Sequence, residues 1–319
     1  MEFTVEQKIH MLRTMWRIRW FEEKVDEFFA RAMIHGTTHL YVGEEAVAVG
    51  ACVNLQKGDY FTSTHRGHGH CIASGADLKR MMAELLGRRT GYCGGKGGSM
   101  HIADVEAGNL GANGVVGGGL PIAVGAALSL RLRRSDRVVL CFFGDGAANQ
   151  GVFHESLNLA AIWSLGVVFI CENNMYGMSL SSRKSVSAKD IATRAVAYGI
   201  PGHLVDGNDV FAVADTVERA VQRARRGEGP TLIECQTYRW KGHSKSDANL
   251  YRTREEIEQW KQRCPIQRLV ANLVTSGIIT EAQAREICEQ ARRDIEAAVE
   301  FALASPEPGI DELEKDVYA

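Results

Sequence analysis

From residue 136 onward the sequence alternates between short apolar runs and segments of helical periodicity, and few folds accept that alternation. RVVLCFF (137–143) is a short continuous apolar run, as expected of a strand buried on both faces. GVVFICENN (166–174), HLVDGND (203–209) and PTLIECQTYR (230–239) read as three further strands. Between the first two, Phe153, Leu157, Ala160, Ala161 and Ile162 lie at helical spacing, and after the third so do Val213, Val217, Ala220 and Val221. The pattern predicts an α/β fold: a doubly wound parallel sheet with helices on both faces and right-handed crossovers. Ligands bind such sheets at the C-terminal strand ends. GDGAANQG (144–151), the ENN closing the second strand and the loop after Arg239 all fall there.

Helical extensions flank this region. Thr4 and Gln7 have capping-box spacing, and apolar residues recur from Ile9 to Phe29, predicting an N-terminal helix over about 4–32. GEEAVAVGACVNL (43–55), DLKRMMAELLG (77–87) and PIAVGAALSLRLRR (121–134) predict further helices, with a charged, histidine-rich loop at STHRGHGH (63–70). Thr253 with Glu256 and Thr280 with Gln283 mark starts in a C-terminal helical segment over about 253–305. No repeat or low-complexity linker interrupts the chain, so one domain over 1–319 is the economical reading.

Composition narrows the function classes. Lys plus Arg number 37 against 39 for Asp plus Glu, so there is no basic excess of the kind nucleic-acid binding needs. The eight cysteines form no Cys-x-x-Cys pair and several sit in apolar runs, which fits reduced thiols better than a disulfide framework or a zinc site. The N-terminus carries Glu6 and lacks the apolar core of a signal peptide, and no apolar stretch approaches the ~20 residues of a membrane span. A soluble cytoplasmic protein, bound to neither nucleic acid nor membrane, is expected. Glycine is the outlier. Of 33 glycines, thirteen lie between Gly87 and Gly125, where backbone is expected to approach something closely.

The strand-end residues define the chemistry. Gly144-x-Gly146-x-x-Asn149 lacks the third small residue of a dinucleotide fingerprint, and Asp145 would repel a pyrophosphate. A divalent cation reverses that objection by bridging carboxylate to phosphate. Mg²⁺ takes hard oxygen ligands, and Asn174, 29 residues beyond Asp145 at the next strand end, offers a neutral amide oxygen. The helix after GDG offers N–H groups to the same phosphates. Gly91 to Lys96 is one residue short of a Walker A loop, with Gly97 where a Ser or Thr should stand, so a kinase or ATPase reading is poor. The bland alternatives are helix capping for Asp145 and Asn174 and a surface salt bridge for Arg66.

GDG followed by about thirty residues and NN resembles the thiamine-diphosphate signature. The ordered strings GKGGSMH, GANGVVGGG, GDGAANQG, CENNMYGMS and GHSKSD with YRTREE resemble the α subunit of E1 components of 2-oxo acid and acetoin dehydrogenase complexes, collinearly from about residue 10 to 270. The resemblance implies thiamine diphosphate and Mg²⁺ as cofactors. Asp145, the Asn174 side chain and the Tyr176 carbonyl would ligate Mg²⁺. Gly144 and Gly146 would let backbone approach the diphosphate, with Gly146 and Ala147 presenting N–H groups and Arg66 its guanidinium. The backbone of Gly114 and Val116 would meet the aminopyrimidine. His68 and His243, both in polar Gly-containing loops (HRGHGH and KGHSKSD), match active-site histidines of the family. They would handle protons on the substrate oxygen and help receive the lipoyl group. His65 and His70 are equally well read as loop packing, and His39 as incidental.

The resemblance also implies what lies elsewhere. The glutamate that activates the cofactor is not Glu44 or Glu45, which match a family helix motif. It should come from an E1 β subunit in an α2β2 heterotetramer, with a lipoyl-bearing E2 receiving the two-carbon unit from a small-molecule substrate. His65 in STHRGHGH leans towards acetoin as substrate, where pyruvate-type members carry Tyr, whereas GHSKSD and YRTREE lean towards pyruvate. A pyruvate dehydrogenase E1 α subunit, a split transketolase-type transferase of two-carbon units and a cofactor-free scaffold subunit are the alternatives. Ser244 and Ser246 match a region phosphorylated in mitochondrial members.

Overall fold

The computed structural model describes residues 3–316; residues 1–2 and 317–319 of the expected 1–319 domain lie outside the described residues. Thr4 opens α1 (Val5–Ala30) through a complete capping box, its hydroxyl accepting from Gln7 N while the Gln7 side chain accepts from Thr4 N. The small residues of α2 (Glu45–Cys52) are buried on every side of the helix, so they admit close neighbours all round. Then come β1 (Tyr60–Thr62), α3 (His68–Ala73) and α4 (Leu78–Leu85), the last capped by the Asp77 side chain. A long glycine-rich loop leads to α5 (Gly119–Leu132).

The α/β alternation follows as expected: β2 (Val139–Gly144), α6 (Gly151–Ile162), β3 (Val167–Asn173), a small hairpin of β4 (Tyr176–Gly177) and β5 (Leu180–Ser181), α7 (Ser182–Ser185), β6 (Gly202–Asp206), α8 (Val210–Arg225) and β7 (Thr231–Gln236). The chain closes with α9 (Arg254–Lys261), α10 (Pro265–Thr275) and α11 (Glu281–Ala304). Thr280 supplies a second full capping box, and Thr253 caps α9 through Glu256 N.

The sheet runs β1-β2-β3-β7-β6, all parallel. Successive side chains point to opposite faces. Val139, Cys141 and Phe143 of β2 therefore enter one core with α5 and α6, while Leu140 and Phe142, with Val138 just before the strand, enter another with α2 and α8. Each such side chain contributes about 1.5–3 kcal/mol of burial. A third core joins α1 to α3, α4, α10 and α11. This is the doubly wound sheet the sequence predicts, with two corrections. The short β1 carries no sequence signal of its own. HLVDGND is strand only to Asp206, because Asp209 turns to cap α8 by accepting from Phe211 N and Ala212 N.

Candidate active site

A cavity of about 310 Å³ opens at the C-terminal ends of β2 and β3. Gly144, Asp145, Gly146 and Ala147 line it from β2 and the turn after it, and Asn174 and Tyr176 from beyond β3. Arg66, Gly114, Val116 and His243 complete the wall from three loops. The fold thus gathers every residue singled out in the sequence except His68. The helix after GDG is not continuous with it, since a tight turn at Ala147–Asn149 precedes α6.

Two buried oxygens at the floor lack partners. Asp145 is 2% exposed and its Oδ2 makes no hydrogen bond, and the same holds for Asn174 Oδ1. Burial pushes the Asp145 carboxyl up to about 6, although Arg239 pulls the other way. Buried polar atoms are normally satisfied, so a pair of orphaned hard oxygens fits a cation of the Mg²⁺ type. The Asn174 amide is oriented from behind, its Nδ2 donating to Glu44 at 3.1 and 3.4 Å. The Tyr176 carbonyl accepts from Arg239 Nη1 at 3.2 Å. Met175 and Met178, either side of Tyr176, both hold positive φ (76° and 54°), conformations costly for non-glycine residues that cluster at functional sites.

Arg66 is buried, which removes the surface-salt-bridge alternative. Its Nη1 donates to Leu40 O at 2.5 Å, its Nη2 to His243 O at 3.0 Å, and its Nε lies 3.7 Å from Glu44. Burial raises the Glu44 carboxyl, with Arg66 opposing and the nearby Glu172 adding to the rise. Arg239 donates to Tyr176 O, Met178 O and the Tyr251 hydroxyl, tying the hairpin to the loop after β7.

The histidines sort differently from expectation. His68 is fully buried at the start of α3, with Nδ1 3.0 Å from Glu22 and Nε2 3.0 Å from Ser99 Oγ. Both ring nitrogens are engaged inside the fold, bridging Glu22 to Ser99, and His68 is not among the residues that line the cavity. STHRGHGH is a loop only up to Gly67; from His68 it is helix. Gly69 lets that helix sit against Tyr41, where an added Cβ would meet the ring at 2.3 Å. His70 is buried too, between Ser63 and Glu172. His243 does line the cavity, and burial followed by Arg66 and Arg239 holds it down to about 4. His39 and His65 stand beside it, held down to about 3 and about 2 by burial and then Arg66. His39 and Arg239 carry no local signal, because only the fold brings their segments to the cavity.

The glycines of 91–98 surround a carboxylate. Glu84, 1% exposed, accepts from the backbone N–H groups of Cys93, Gly95, Gly97 and Gly98 at 2.7–3.0 Å. A Cβ at Gly91 would meet Glu84 Oε2 at 2.3 Å.

The chain belongs to the Dehydrogenase E1 component family, whose pattern it matches from residue 13 to residue 311. That family comprises oxidoreductases dependent on thiamine diphosphate. The chain is 50% identical to the α subunit of acetoin:2,6-dichlorophenolindophenol oxidoreductase of Bacillus subtilis, over 100% of this chain and 95% of that one. It is 45% identical to the same-named subunit of Cupriavidus necator, over 98% of this chain and 94% of that one. It is 41% identical to the α subunit of the pyruvate dehydrogenase E1 component of Rhizobium meliloti, over 99% of this chain and 91% of that one.

Proposed function

We propose that this chain is the α subunit of a thiamine-diphosphate- and Mg²⁺-dependent E1 enzyme that cleaves acetoin and passes the two-carbon acyl unit to a lipoyl-bearing E2. The observation that carries the reading is the orphaned pair Asp145 Oδ2 and Asn174 Oδ1 at adjacent strand ends. Asp145, Asn174 and the Tyr176 carbonyl would hold Mg²⁺. Gly144 and Gly146 keep the turn free of side chains, Gly146 and Ala147 would offer N–H groups to the diphosphate, and Arg66 its guanidinium. Gly114 and Val116 would meet the pyrimidine with their backbone. Thiamine diphosphate supplies, when bound, the nucleophilic carbon that takes up the carbonyl compound.

His243 enters as a neutral imidazole, because burial and two guanidinium groups disfavour its protonation. A neutral imidazole at the cavity wall accepts a proton from a substrate hydroxyl and returns it later. The activating glutamate comes from a β subunit, in an α2β2 assembly built on a single 1–319 domain of this chain. Val115 and Val116, 70% and 49% exposed at the cavity rim, support a second chain closing that side. Acetoin is preferred over pyruvate because the two acetoin-named relatives are the more similar of the three. The eight free cysteines favour the cytoplasm, and among the described residues no helix is long and apolar enough to cross a membrane. The test is to co-purify the β chain and assay the complex on acetoin and on pyruvate with a lipoyl acceptor. Turnover of acetoin well above pyruvate is expected. Turnover of pyruvate alone selects the second reading, and ketol transfer between sugars without lipoyl dependence overturns both.

A further inference from the structure

Three imidazoles meet at one edge of the cavity. His39, His65 and His243 each present a ligand nitrogen, and the three nitrogens lie within 4.8 Å of one another. The rings touch pairwise, with centroids 4.6 Å apart for His39 and His65, 4.9 Å for His39 and His243, and 5.6 Å for His65 and His243. His39 is 6% exposed and its Nδ1 has no hydrogen-bond partner, an unsatisfied donor or acceptor of a kind that buried sites normally avoid. The residues come from the loop before α2, the loop after β1 and the loop after β7, so no spacing in the sequence announces them.

We propose that His39, His65 and His243 form a nitrogen-ligand site for a transition-metal ion of the zinc type, separate in donor chemistry from the oxygen pair Asp145 and Asn174. Three neutral imidazoles with a fourth position open to solvent or an anion are a recurrent zinc coordination set. Metal–nitrogen bonds of about 2.0–2.1 Å need nitrogens a little over 3 Å apart, which ring rotations in the two half-buried members can supply. Arg66 and Arg239 border the same space and repel any cation. The site therefore selects ions that gain most from nitrogen ligands, Zn²⁺ and Co²⁺ over Mg²⁺. An ion there occupies the space beside Arg66 and His243, and would act as a reversible block on the cavity. The inference rests on the cluster itself and stands whether or not acetoin is the substrate.

The test is a Co²⁺ titration of the full chain without added cofactor, in excess Mg²⁺, followed by visible absorption. Wild type and His39→Gln, His65→Gln and His243→Gln are compared. About one equivalent with the absorption of tetrahedral nitrogen coordination is expected, displaced by Zn²⁺ and not by Mg²⁺. Each substitution should weaken binding at least about tenfold. His65 and His243 are partly exposed, so circular dichroism and melting should show both variants folded, keeping the test valid if the His39 variant is not. Three results would overturn the proposal: no tetrahedral absorption, absorption that survives His65→Gln and His243→Gln, or the intense near-ultraviolet bands of cobalt–thiolate coordination from Cys93 or Cys288.

Discussion

His68 and His243 show how similar sequence surroundings lead to different physical roles. Each is flanked by glycine and polar residues, yet one bridges Glu22 to Ser99 inside the protein and the other lines the cavity. The difference is legible only in three dimensions, because Gly67 and Gly69 serve helix packing and not loop freedom. His68→Gln should lower unfolding stability by about 1–3 kcal/mol in urea while kcat changes less than about tenfold. His243→Gln should do the reverse, cutting kcat by about 10²–10⁴ with a small stability effect. Equal effects of both on kcat would restore His68 to the chemistry. The positions of Asp145 and Asn174 were readable without a structure, since each closes a short apolar run that reads as a buried strand, and both line the cavity just beyond β2 and β3. Those of Arg239 and His39 were not, because their functional neighbours are far away in sequence.

At the scale of elements, capping and periodicity placed α1, α4, α8 and α11 well, and the paired faces of β2 and β3 follow from strand alternation. What sequence could not show is the anchoring of the 91–98 loop, which gathers around one carboxyl group on α4. Glu84→Ala strips four backbone donors of their acceptor and should destabilise the fold by about 2–4 kcal/mol. Tryptic cleavage after Lys96 should accelerate with it, and an unchanged cleavage rate would refute the anchor. The three loops carrying His39, His65 and His243 share a pH signature. All three rings have folded-state pKa values far below the ordinary 6.5. They stay neutral in the folded chain but charge in the unfolded one, so the stability they support is complete above about pH 6.5 and is lost as pH falls towards 4 and below. Urea unfolding between pH 6 and 4 should show uptake of up to about three protons, reduced by about one in His65→Gln. A slope insensitive to that substitution would mean that His65 is already protonated in the fold.

As a whole, the molecule carries its cavity at the C-terminal strand ends, with the exposed Val115 and Val116 among the residues that line it. The rim residue Val115 is exposed and makes no part of the three cores. Val115→Asp should therefore leave urea stability within about 0.5 kcal/mol while weakening association with the β chain at least about tenfold in sedimentation. Unaltered association would place the partner elsewhere. The central claim is that the unsatisfied oxygens of Asp145 and Asn174 are a metal site serving a bound diphosphate cofactor. The most direct measurement is calorimetric titration of thiamine diphosphate into the assembled complex, with and without Mg²⁺, for wild type and Asp145→Ala. Wild type should bind in a Mg²⁺-dependent manner, and Asp145→Ala should lose that dependence with affinity down at least about 100-fold. Equal, Mg²⁺-dependent affinity in the two proteins would contradict the account.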